Sequence, residues 1–87
     1  MRDGRYLLGM STKMYFTHAQ TLQWCRDVSD LCRTHPAVTS GAVELFVLPG
    51  FLSLAEAAKI MPGVGAQDVS WADGGAYTGE VSAAQLV

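Results

Sequence analysis

Three times along this chain an apolar run is followed, after a loop containing Gly, Pro or Lys, by a Ser or Thr with Gln or Glu three residues later. The pairs are Thr17 with Gln20, Ser53 with Glu56, and Ser82 with Gln85. This spacing is a capping box: the hydroxyl accepts from the N3 amide, and the N3 side chain accepts from the amide of the cap residue. The apolar runs before the boxes are 6–10, 43–48 and 64–69, the last with more polar content. Near-continuous apolarity suits parallel strands buried on both faces. After Thr17, the residues Leu22, Cys25, Val28 and Cys32 share one helical face, widened by Trp24 and Leu31, and Pro36 follows its end. The second box predicts a helix over 54–60 that stops before Pro62. The expected fold is therefore α/β, a βαβαβ(α) chain with right-handed crossovers and a parallel sheet.

The third helix has only five residues beyond its cap at Ser82. One turn is unstable alone, since isolated helices need about 12 to 15 residues, and a three-stranded parallel sheet leaves two open edges. The chain of 87 residues is expected to be a single unit, the N-terminal piece of a larger α/β protein.

Composition narrows the function. Of the residues 49% are hydrophobic and 16% charged, which is too apolar for a disordered chain. The net charge of -2 provides no basic face for the phosphates of a nucleic acid. No apolar run approaches the roughly 20 residues of a membrane span, and the start Met1-Arg2-Asp3-Gly4-Arg5 is not followed by a signal-peptide core. A cytoplasmic protein without nucleic-acid or membrane partners is expected. Cys25 and Cys32, seven residues apart on one helix, stand roughly 10 Å from each other, beyond disulfide reach. They read as reduced thiols. His35 near Cys32 lacks further ligands, so no metal site is assigned.

In parallel α/β folds chemistry gathers in the loops after the strands. The first, Ser11-Thr12-Lys13-Met14-Tyr15-Phe16, brings a lysine to the mouth of a strand, where an ammonium can offset negative charge on an oxygen or phosphate; a solvated surface lysine is the alternative. The second, Pro49-Gly50-Phe51-Leu52, has no titratable group and is expected to set a turn and bury an aromatic anchor. The third runs from Ser70 to Val81, about twice the usual two to six residues, and its Ala-Tyr-Thr tip suits insertion into a partner. His18 reads as solvated, while His35 and Lys59 favour helix C-termini. Asp68 and Asp73 have no spaced acid or base partner, and no phosphate-binding or hydrolase motif is present.

Together these loops resemble triose-phosphate isomerase over nearly the whole chain. The family's first loop, Asn-Trp-Lys-Met-Asn, is matched by Ser11-Thr12-Lys13-Met14-Tyr15 in its lysine and methionine. Its second loop, often Pro-Pro-Phe followed by leucine, is similar to Pro49-Gly50-Phe51-Leu52. The most specific stretches are Gly65-Ala66-Gln67-Asp68-Val69 and Gly75-Ala76-Tyr77-Thr78-Gly79-Glu80-Val81-Ser82.

The resemblance implies an eight-stranded (β/α) barrel, of which this chain holds the first three strands and the start of the third helix. It implies a cofactor-free isomerase of a small phosphorylated sugar, working through an enediolate. The glutamate base and neutral histidine electrophile of that mechanism, a worked case among pKa-tuned enzymes, belong to later strands. By the same resemblance Lys13 is the catalytic lysine and contacts substrate. Ser11 takes the place of a substrate-contacting asparagine, and with Thr12 and Tyr15 it points to a longer, four-carbon ketose phosphate as an alternative to the triose. Tyr77, Thr78, Gly79 and Glu80 correspond to a loop that enters the neighbouring subunit of a homodimer, with Thr78 at its tip and Tyr15 near the socket. A non-catalytic α/β binding or oligomerisation module is the other class open to this sequence.

Overall fold

A computed structural model describes residues 4–87. Met1, Arg2 and Asp3, part of the start read above for a signal-peptide core, lie outside the described residues. The elements are β1 (Tyr6–Ser11), α1 (His18–Thr34), α2 (Pro36–Thr39), β2 (Val43–Leu48), α3 (Phe51–Ile60) and α4 (Ala83–Leu86). β1 and β2 pair in parallel, from Tyr6 opposite Val43 to Ser11 opposite Leu48, with α1 and α2 in the crossover.

The third apolar run is not a strand. It touches the sheet at one point, where Val64 bridges Val47 through Val47 N–H to the Gly63 carbonyl and Gly65 N–H to the Val47 carbonyl, both 3.0 Å. The next donor in a parallel ladder would be residue 49, which is a proline without an N–H, so the pairing stops there. The approach is close at Gly63, where a Cβ would stand 2.6 Å from the Leu45 carbonyl oxygen.

Two of the three capping boxes form as expected. Thr17 Oγ1 accepts from Gln20 N–H at 3.1 Å while Gln20 Oε1 accepts from Thr17 N–H at 2.9 Å; Ser82 and Gln85 repeat the exchange at α4. The box at Ser53 does not form. The helix there begins three residues earlier, with Gly50 in extended conformation as its cap, so Ser53 is already inside the first turn and donates its N–H to the Gly50 carbonyl. Glu56, freed from the box, pairs with Lys59 at 3.3 Å. α1 ends as expected before Pro36, but Pro36 opens a further helical turn, capped by His35 Nδ1, which accepts from Ala37 N–H. His35 is thus both the C-cap of α1, as expected, and the N-cap of α2.

The core lies between α1, α3 and β2: Cys25, Val47, Ala57 and Met61 are buried, with Trp24, Val28, Leu45, Ile60 and Val64 packed around them. Both helices converge on β2, which leaves β1 uncovered. Tyr6 is 64% exposed and Leu8 58%, against the expectation of strands buried on both faces. Leu31, expected to widen the buried stripe of α1, is also exposed, and Phe51 is not the buried anchor its loop suggested. Accordingly, the radius of gyration is 14.5 Å, against about 12 Å for a compact domain of this length. Among the described residues no helix is long and apolar enough to cross a membrane.

Candidate functional site

The end of β1 turns sharply into α1. Thr12 is buried and donates its N–H to the Leu48 carbonyl at 3.2 Å, so the loop after β1 is fastened to the end of β2. Tyr15 N–H then donates to the Thr12 carbonyl, closing a turn with Lys13 and Met14 at its corner. Lys13 has φ of 52°, the one positive φ outside glycine among the described residues. Left-handed backbone costs a residue with a Cβ about 1 to 2 kcal/mol and is tolerated where its surroundings fix it. Ser11 contributes, since its Oγ accepts from Lys13 N–H at 3.1 Å. No ion pair engages Lys13 among the described residues.

A side chain from far along the chain completes this corner. Gln67 Nε2 donates within reach of three acceptors: the Leu48 carbonyl at 2.9 Å, the Lys13 carbonyl at 3.2 Å and Thr12 Oγ1 at 3.3 Å. The sequence assigns no role to Gln67, and Thr12 enters there only beside Ser11 and Tyr15 as a pointer to a four-carbon sugar. The available signal was a long polar side chain inside an otherwise strand-like run flanked by glycine, a position that demands partners.

Beside the corner opens a cavity of about 750 Å³, walled by Lys13, Met14, Phe16, Phe51, Leu52 and Gln67 among others. His18 and Ser53 also line it. His18 is exposed, as expected, and its Nδ1 also lies 2.8 Å from Ser53 Oγ.

The structure brings Ser11 and Lys13 together, with Thr12 and Gln67, at the ends of the paired strands. It leaves Tyr77, Thr78, Gly79 and Glu80 apart: no hydrogen bond, ion pair or ring contact joins them to Lys13 among the described residues. Their loop is held from within. Ser70 N–H donates to the Val81 carbonyl at 2.7 Å across its base, and Trp71 packs edge-on against Tyr77 with ring centroids 5.9 Å apart. Gly75 and Gly79 adopt positive φ, and the Tyr77–Glu80 tip projects into solvent. Tyr15, at the corner, is also exposed. Asp68 is spent locally, accepting from Val69 N–H. Among the described residues no three His, Cys, Asp or Glu side chains gather as metal ligands, and Cys25 and Cys32 are free thiols.

Comparison with known proteins gives this arrangement a context. The chain is 43% identical to an L-erythrulose-1-phosphate isomerase from Pectobacterium atrosepticum, over 99% of this chain and 35% of that protein. A second L-erythrulose-1-phosphate isomerase, from Rhizobium rhizogenes, is 37% identical over 94% of this chain and 31% of its own length. A triosephosphate isomerase from Thermoanaerobacter pseudethanolicus is 31% identical over 94% of this chain and 32% of its own. The chain thus spans about a third of the length of these curated relatives. A family model described as triosephosphate isomerase matches residues 6–87, from the first residue of β1 through the lysine corner and the long loop, and on that match the chain belongs to the triosephosphate isomerase family.

Proposed function

We propose that this chain is the opening part of a (β/α)8-barrel isomerase that moves a proton between adjacent carbons of a small sugar phosphate through an enediolate, and that the sugar is a four-carbon ketose phosphate. The observation that carries the choice is Ser11. Its short hydroxyl, occupied as an acceptor from Lys13 N–H at 3.1 Å, stands where the resemblance places a longer asparagine. It keeps an O–H to donate to a substrate oxygen, and, being shorter than an asparagine, would leave space for a longer sugar. The 43% identity to an L-erythrulose-1-phosphate isomerase supports the same reading.

In this reaction a base removes a proton from the carbon beside the carbonyl, charge builds on the carbonyl oxygen, and the proton returns to the neighbouring carbon. Lys13 would hold its ammonium against the developing oxyanion, where a fixed positive charge in a water-poor cleft is worth more than in bulk solvent. The base and electrophile would come from other strands of the whole protein, and no cofactor is required. A cytoplasmic location is part of this reading, since that compartment keeps thiols such as Cys25 and Cys32 reduced.

The same reading makes the protein a homodimer. The Tyr77, Thr78, Gly79 and Glu80 tip of one copy would enter the cavity beside Lys13 of the other, against Phe16, Phe51 and Leu52, with exposed Tyr15 at its rim. The apolar wall and volume of about 750 Å³ suit such an insertion.

The test is turnover by the full-length protein of L-erythrulose 1-phosphate against glyceraldehyde 3-phosphate. A kcat/KM at least tenfold higher for the four-carbon substrate is expected. A preference for glyceraldehyde 3-phosphate would return the assignment to a triose-phosphate isomerase, the second reading, which the Lys13-Met14 pair and the 31% identity to a triosephosphate isomerase favour.

A further inference from the structure

We infer that Gln67 is a positioning residue for Lys13: its side-chain amide clamps the lysine's left-handed corner to the end of β2 and so aims the ammonium at the substrate. The inference rests on the isomerase reading for its effect on turnover, and on geometry alone for the clamp.

A primary amide has two N–H donors. Around Gln67 Nε2 stand three acceptors from two parts of the chain: the Leu48 carbonyl at 2.9 Å closes β2, while the Lys13 carbonyl at 3.2 Å and Thr12 Oγ1 at 3.3 Å belong to the loop after β1. Leu48 O is shared, since Thr12 N–H also donates to it. The three segments of the fold therefore meet at one nitrogen. Lys13 needs such a clamp because its φ of 52° is unfavourable for a residue with a Cβ. A contact to the lysine's own carbonyl fixes the peptide that follows Lys13, and with it the direction in which the side chain leaves the corner. Gln67 comes within range because Pro49 ends the ladder after Val64, which releases residues 66–69 from strand geometry and lets the amide fold back over the strand ends.

Gln67→Met keeps the length of the side chain and removes both donors. In the full-length protein it is expected to lower kcat by about ten- to a hundredfold, with KM changed by less than about threefold. Hydrogen exchange at the Tyr15 amide, which closes the corner, is expected to accelerate by at least tenfold. Combined with Lys13→Ala, Gln67→Met is expected to cause no further fall in kcat, because the amide acts through the lysine. An unchanged kcat in the single variant, or an equal additional loss in the Lys13→Ala background, would overturn the inference. If Gln67→Met does not fold, Gln67→Asn, whose amide stops one methylene short, is read by the same criteria. If the wild-type protein isomerises neither sugar phosphate, the functional reading falls and Tyr15 exchange decides the clamp: acceleration upholds it and an unchanged rate rejects it.

Discussion

His18 Nδ1 lies 2.8 Å from Ser53 Oγ, tying the first turn of α1 to the first turn of α3 across 35 residues of sequence. The contact explains what Ser53 does in place of capping a helix: a buried hydroxyl at 4% exposure requires a partner, and the imidazole supplies one. Ser53→Ala is expected to destabilise the protein by about 1 kcal/mol. Thr17→Ala, which breaks a true capping box, should cost a similar amount. Urea denaturation of both variants checks this, and an unchanged midpoint for Ser53→Ala would show the hydrogen bond to be without net value.

Lys13→Ala should separate catalysis from stability. Alanine carries the same Cβ penalty in left-handed backbone as lysine, and among the described residues no ion pair is lost with the ammonium. The melting temperature is therefore expected to stay nearly constant while turnover by the full-length protein falls by about 10²- to 10³-fold. A drop in melting temperature with turnover intact would make Lys13 a structural residue.

Cys25 gives a pH dependence. Its burial pushes the thiol above its ordinary value, with Arg26 partly pulling it back. The folded state therefore holds this proton more tightly than the unfolded chain. The corresponding stability is fully present below the unfolded thiol pKa and is lost as pH rises through the native one. Denaturation between about pH 8 and pH 10.5 should show a steeper alkaline decline in the wild type than in Cys25→Ala. Half-buried Cys32 should be alkylated before Cys25 in the native protein.

The long loop can be tested by charge and size. Thr78 lies at the exposed tip between Tyr77 and Gly79, so Thr78→Arg should leave the fold intact while a bulky cation blocks entry into an apolar socket. Analytical ultracentrifugation should show at least a tenfold weaker self-association than wild type. An unaltered sedimentation profile would reject the loop as the dimer contact.

Local chemistry made much of this fold readable. The boxes at Thr17 and Ser82 form because each needs only residues within one turn, and the apolar runs of β1 and β2 pair as their composition predicts. Ser53 carried the same local signature, yet Gly50 starts the helix earlier and His18, distant in sequence, claims the hydroxyl. The run 64–69 looked like a strand because its pattern says nothing of Pro49, the neighbour that lacks the next donor. Lys13 was legible as a candidate from its place after a strand and from the resemblance. Gln67 was not, because its three partners lie 19, 54 and 55 residues away.

Periodicity, caps and apolar runs thus settled β1, β2, α1 and the start of α4, since those preferences act over a few residues. Which strand is covered, which hydroxyl caps and which amide braces the lysine depended on long-range packing, because a buried donor or acceptor takes whichever partner the folded chain brings within about 3 Å.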